Sequence, residues 1–278
     1  MLKNLPTHHK PLTIIADDDQ STIQFIHFHL YNFFGPEKTY SVHSDCSYIP
    51  LLPNISSSRL RLFGGENTDI LEQFLELSQN HHTLSIHRRL GTDERTGYEN
   101  KLGRIQNLAL VSFRIDTELL LPSFQGSKLY VETSSLHEPS AVDLLRTWKS
   151  GDRYQQLESV QIFNRYFQWR PLVVDPIRLL EQVDLKRFDN SKESPKFHYW
   201  KIHYSTTSCH HWWKSDQFSS EFYMVRDTDG VVASISVTPY SFNFGVWKMT
   251  ETELFDRMSN GTLEVQPPKK WSSIYKPL

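Results

Sequence analysis

The side chains best suited to chemistry are Cys209, His210 and His211, next to Trp212 and Trp213, with Asp216 a few residues on. Thiolate and imidazole bind zinc, and a thiol beside an imidazole can form a nucleophile and its base. A structural zinc site needs about four converging ligands, usually supplied as close pairs. The chain holds no second Cys/His pair of that kind. His198 and His203 are five residues apart, which on a strand sends them to opposite faces. No metal or other cofactor is expected.

Catalysis has equally little support. Cys46 has only His43 nearby, and neighbours in sequence such as Cys209 and His210 seldom make a productive pair. Two alternatives to a binding module stand: an enzymatic site near Cys209, His210 and Asp216, which requires those groups to converge in a pocket, and a purely structural interaction scaffold. His81 and His82 precede a strand, and His27 and His29 sit in an apolar segment, where hydrogen-bonded packing is the simpler role. Gly64-Gly65 stands between a strand and a helix, but LFGGENTD lacks the spacing of either phosphate-binding glycine motif. Neither G-x-S-x-G nor H-E-x-x-H occurs. The sequence therefore reads as non-catalytic.

The elements that would carry these groups begin after a polar lead-in, residues 1–20. Residues 21–34, dense in Phe and Ile, predict a largely buried helix capped by Ser21. Short apolar pairs then recur at Tyr40/Val42, Leu60/Leu62, Leu84/Ile86, Leu108/Leu110, Leu129/Val131 and Val160/Ile162. Their first members are 20, 24, 24, 21 and 31 residues apart, a period suited to βα units that stack and bury each other's apolar faces. Helical signal lies between two of the pairs. One run is residues 68–79, with Ile70, Leu71, Phe74, Leu75 and Leu77 on a helical face. The other is SAVDLLRTW, residues 140–148, with Ser140 as cap, Asp143 in the first turn and Gly151 as stop. Residues 91–101 read as a polar loop. A set of strands in an ordinary mixed domain is the alternative to a repeat.

From about residue 171 the pattern becomes β-rich. Residues 177–183 predict a short helix and 197–205 a strand. Residues 221–238 predict a hairpin turning at Asp227–Gly230, where glycine supplies a positive φ. The fold class expected is α/β: an irregular leucine-rich-repeat-like βα solenoid over 21–170, followed by a C-terminal antiparallel β-hairpin region with a tail over 171–278.

Composition narrows the partners. Thirty basic residues balance 32 acidic ones, so a phosphate-backbone partner has no electrostatic support and no nucleic acid is expected. No segment approaches the ~20 apolar residues of a membrane helix, and no signal peptide is evident. Two distant cysteines fit a reducing compartment, cytoplasm or nucleus. Trp200, Trp212, Trp213 and Trp247 crowd the C-terminal third. The Trp212-Trp213 pair is expected at the surface of a polar loop, as an aromatic anchor for a protein partner.

Two stretches carry a family resemblance. Residues 140–162 pair a helix holding Trp148 and Gly151 with a leucine-rich strand, Leu157 to Ile162. Residues 222–235 combine Phe222, Arg226, Asp229, Gly230, Ala233 and Ile235 in a closing hairpin. The chain resembles the type 2 F-box-associated domain of nematode F-box proteins over roughly residues 20–240. The resemblance implies an intracellular substrate-recognition part of an SCF-type ubiquitin ligase (Skp1, cullin, F-box), with a protein substrate of unknown identity. It also implies a repeat sheet whose exposed face grips that substrate. His87, Arg89, Ser112, Arg114, Tyr130 and Glu132 lie on or near the repeat strands and are candidates for that face. The chain departs from the family at its start. Leu5-Pro6 followed by THHKP does not continue as an F-box, so contact with the Skp1 adaptor is not expected of this polypeptide. It is expected to be an incomplete gene product or a paralogue without the F-box.

Overall fold

The structure, a computed structural model, describes residues 20–35, 40–44, 49, 52, 55–63, 68–77, 81–89, 97–111, 115–133, 136–164, 174–189, 194–204 and 211–263. Helix α1 (Gln20–Phe34) leads into β1 (Tyr40–Ser44) and β2 (Ile55–Phe63). Helices and strands then alternate: α2 (Thr68–Leu77), β3 (Thr83–Arg89), α3 (Glu99–Leu102), β4 (Asn107–Val111), α4 (Thr117–Ser123), β5 (Lys128–Thr133), α5 (Glu138–Ser150) and β6 (Ser159–Asn164). The C-terminal part holds α6 (Pro176–Gln182), β7 (Lys186–Arg187), β8 (Lys196–Tyr204), β9 (His211–Ser219), β10 (Phe222–Val225), β11 (Val231–Thr238), β12 (Ser241–Thr250) and α7 (Glu251–Ser259).

Ten strands form one sheet in the order β1-β2-β3-β4-β5-β6-β12-β11-β10-β7, and β8 with β9 forms a separate antiparallel pair. The first six strands are parallel and lie in chain order; β12, β11, β10 and β7 extend the sheet antiparallel. The protein is thus a mixed α/β molecule with a large, mostly parallel sheet and a small antiparallel hairpin sheet. Because β12 pairs with β6, the sheet runs unbroken across the change in sequence character near residue 171.

Side chains alternate across a strand, so register decides which residues share a face. One column runs Val42, Ser58, Leu84, Leu108, Leu129, Val160 and on to Phe244; the next runs Ser44, Leu60, Ile86, Leu110, Val131, Ile162 and Phe242. In β2 the aligned pair is Ser58/Leu60, not Leu60/Leu62, and in β1 it is Val42/Ser44, not Tyr40/Val42. Spacing alone misses this shift of two because either choice keeps the same residues on the same face. Ser58, at a leucine's place, is buried and meets His81 Nε2 at 2.6 Å.

Helices α2 to α6 cover this face, each beside the next. Leu71, Phe74, Leu102, Leu120, Leu121, Leu144, Leu145, Trp148 and Leu179 join the aliphatic columns in one core. Each fully buried side chain of this size is worth about 1.5–3 kcal/mol in transfer free energy. Helices stand between four consecutive strand pairs from β2 to β6, not two. The missed pair, α3 and α4, is short. Residues 99–101, expected in a polar loop, form α3 together with Leu102, and α4 starts where Asp116 Oδ1 accepts the Glu118 N–H at 2.9 Å. Helix α5 begins at Glu138 with Pro139 in its first turn, so Ser140 is inside the helix and Asp143 is beyond the first turn. Gly151 ends it at φ 78°, as expected.

The N-terminal helix departs most from expectation. Of its described side chains only His27 is buried, whereas Phe25, Phe28, Phe33 and Phe34 are exposed, Phe33 at 81%. Aromatic content signals burial, but it is a property of the residues alone and does not fix whether another element covers them. It touches the sheet through Tyr40, whose hydroxyl donates to the Leu30 and Gly35 carbonyls at 3.2 and 3.0 Å.

Candidate protein-binding surface

The face of the sheet turned away from α2–α6 is set by the same register. Across it run Arg59, Ser85, Ala109, Tyr130, Gln161 and Asn243; beside that row Arg61 pairs with His87, and Glu132 with Phe163. This face has two regions. Toward β2 and β3, Arg59, Arg61 and His87 are half-buried. Across β4, β5 and β6, Ala109, Val111, Tyr130 and Gln161 are at most 3% exposed. Tyr130 donates to Glu132 Oε1 at 2.7 Å and its ring lies 5.5 Å from that of Phe163.

The β8–β9 hairpin stands over the far end of this face. Phe163 stacks on Tyr199 at 6.5 Å, and Phe197 meets the Trp247 ring edge-on at 5.2 Å. Phe197 can reach the sheet because residue 245 is glycine: a Cβ there would come within 2.4 Å of the Phe197 ring. Trp247 fixes the contact from below by donating Nε1–H to Ser234 Oγ at 2.6 Å. The Tyr199 hydroxyl is held protonated far above its usual range, first by burial and then by Asp216, whose carboxylate accepts its hydrogen bond at 3.3 Å. Burial also pushes the His198 imidazole down, against the pull of Gln217 and Asp216.

The expected site residues are distributed as follows. His87 lies on the half-open end of the face. Tyr130 and Glu132 point the same way but are buried, at 3% and 9% exposure, so they support this surface and do not present it. Their position on alternate residues of a strand was legible; their burial depends on what packs above them. The backbone of Arg89 belongs to β3 and pairs with Phe63, while Ser112 and Arg114 lie outside the described residues. Trp212 and Trp213 are not in a loop: they belong to β9, opposite His203 and Ile202. Lys214 to Gln217 make the middle of this strand polar, which weakens its alternation and is why the sequence signal pointed elsewhere. Cys209 and His210 lie outside the described residues, and Asp216 is engaged by Tyr199. Among the described residues there is no group of three or more His, Cys, Asp or Glu able to hold a metal ion. Arg59 and Arg61 were missed, although the reading frame set by Leu60 would have placed both on the outer face.

A second cluster ties the two motif stretches together. The guanidinium of Arg226 lies over the Trp148 ring at 5.1 Å and holds Asp229 through two hydrogen bonds of 2.9 and 2.6 Å. Asp227 N–H donates to the Lys149 carbonyl at 2.8 Å. The β10–β11 turn is thereby docked on the end of α5, a structural role.

No protein-family model, curated protein or solved structure matches this chain. No helix among the described residues is long and apolar enough to cross a membrane.

Proposed function

We propose that this chain is a non-catalytic protein-binding module, built as an irregular leucine-rich-repeat-like βα solenoid closed by a C-terminal antiparallel part. In this reading it acts in the cytoplasm or nucleus as the substrate-recognition part of an SCF-type ubiquitin ligase, or as a relative that carries only the substrate surface. The observation that carries the reading is the in-order run of six parallel strands, whose outer face is partly exposed at β2–β3 and walled by the β8–β9 hairpin at the other end. Such a face can vary its side chains without disturbing the helix-side core. Stable recognition needs roughly 800 Å² from this partner. Skp1 binding is not proposed for this polypeptide.

The test is affinity capture with the tagged full chain from a nematode lysate, followed by cross-linking mass spectrometry. The reading expects a reproducible partner whose cross-links map to the outer face near β2, β3 and the β8–β9 hairpin. Absence of any saturable partner, or cross-links confined to the helix side, counts against it. Recovery of Skp1 with this chain alone would show that adaptor binding needs no recognisable F-box.

A further inference from the structure

We infer that the outward face of α1 is a self-association surface, through which two copies of this chain pair helix against helix about a two-fold axis. The inference goes beyond the binding-module reading and does not depend on it.

Helix α1 has two faces built on the same spacing. Ile23, Ile26, His27, Leu30 and Tyr31 fall at i, i+3, i+4, i+7 and i+8 and are buried or half-buried, with His27 and Tyr31 against the Tyr40 ring at 5.2 and 5.9 Å. Phe25, Phe28, His29, Asn32 and Phe33 repeat that spacing on the opposite side, and all five are exposed. A stripe of this kind is what a helix ordinarily turns to a core. The other long helices turn charge to solvent: Glu72 and Glu76 on α2, Asp143 and Arg146 on α5, Asp256 and Arg257 on α7. The 15 residues of α1 include no Asp, Glu, Lys or Arg.

The patch is continuous and large. The His29 ring lies 4.1 Å from that of Phe25 and 6.2 Å from that of Phe28, and Phe33 meets Phe34 edge-on at 4.8 Å. Phe25 and Phe28 are each 60% exposed, Phe33 81% and Phe34 49%. At about 200 Å² for a whole Phe side chain, these four present roughly 500 Å² to water. That is the size at which an apolar patch marks an interaction site, and it is more than half of the roughly 800 Å² that a stable interface takes from each partner.

Charge and symmetry select the occupant. A helix lying on a membrane surface meets the headgroups with Lys or Arg, and α1 has neither. A different protein is steered to its site by opposite charge, and α1 offers none. A second copy needs no charge, because a two-fold axis brings one patch against itself. Phe25 and Phe33 stand four residues to either side of His29. Two antiparallel helices crossing at His29 therefore set Phe25 against Phe33 of the partner subunit, twice over. The approach is open: α1 is held by Tyr40 at the β1 end of the sheet, and among the described residues no strand pairs beyond β1.

The experiment is sedimentation equilibrium on the full chain from about 1 to about 100 μM. The native chain should reach twice the mass of one chain, and F25S/F33S should dimerise at least about tenfold more weakly. Both substituted rings are exposed, and circular dichroism shows whether that variant folds. His29 supplies a test that is independent of it. H29E and H29K should each be monomeric, since the axis brings like charges together, and mixing them should restore a dimer of one of each. A native chain that stays monomeric at about 100 μM overturns the inference. So does a dimer of unchanged affinity in folded F25S/F33S, or H29E and H29K chains that dimerise separately as well as they do together. Flotation of a monomeric native chain with phosphatidylcholine vesicles, lost in F25S/F33S, would assign the patch to a membrane surface instead and overturn it too.

Discussion

Arg226 and Trp148 stand 78 positions apart in sequence, yet the Arg226 guanidinium lies 5.1 Å from the centre of the Trp148 ring. Both are buried, and Asp229 neutralises the charge. Through this contact the last antiparallel strands are fastened to the helix that precedes β6. Trp148 also meets Phe244 of β12 edge-on at 5.2 Å, so one indole joins α5, the sheet and the β10–β11 turn.

Replacing Trp148 by Ala should cost about 3–5 kcal/mol, the range for a fully buried aromatic side chain. Urea unfolding measures it. A loss below about 1 kcal/mol would mean that the indole is not the joint described.

The Asp229 carboxyl is held below its ordinary value, first by its hydrogen bond from Arg226, with burial opposing and the Val231 N–H assisting. A depressed folded-state value means that the contribution is complete above the unfolded value near 4 and disappears as pH falls through the lower, folded value. The native chain should therefore exceed D229N in urea midpoint at pH about 7 and about 5, and the gap should close below pH about 4. A gap that persists unchanged at pH about 2 contradicts the pairing.

Gly245→Ala should force Phe197 off the sheet, since the new methyl would lie 2.4 Å from its ring. The expected cost is about 1–3 kcal/mol, with faster amide exchange in β8 and β9 than elsewhere. Adding Phe197→Ala should recover part of that cost, a coupling that a double-mutant cycle measures. Strict additivity would place the ring somewhere other than over residue 245.

Gly151 and Gly261 both have positive φ, 78° and 63°, but only Gly151 has a neighbour in the way: an alanine methyl there would lie 2.5 Å from Thr228 Cγ2. Alanine at Gly261 should cost about 1 kcal/mol from backbone strain alone. Alanine at Gly151 should cost more, because the docked β10–β11 turn must also move. Thermal unfolding of the two variants decides it, and equal losses would deny the Thr228 contact.

Ser58→Ala should cost about 1–2 kcal/mol despite its small size, because it removes a buried hydrogen bond to His81. Ser57→Ala, half-buried on the opposite face, serves as the comparison and should stay within about 0.5 kcal/mol.

Much of the framework was legible in the residues themselves. The alternation around Leu84, Leu108, Leu129 and Val160 is a local consequence of strand geometry, and Gly151 and Gly230 mark a helix stop and a turn by their lack of a Cβ. Thr250 and Glu253 form a capping box at the start of α7 by the same local logic. Other features depended on partners far along the chain. Whether Leu60 pairs with Ile86 or slips by two is decided by neighbouring strands, since both registers keep the same face buried. The Phe residues of α1 carry an apolar signal regardless of whether anything covers them. The outer face shows the same division: sequence alternation assigned Tyr130 and Glu132 to it, but only packing against Phe163 and its surroundings made them buried supports, while Arg59, Arg61 and His87 retain access to solvent. Local chemistry thus determined which elements form and which way their side chains alternate; the tertiary structure decided register and cover, because both are properties of contacts between residues that the chain keeps far apart.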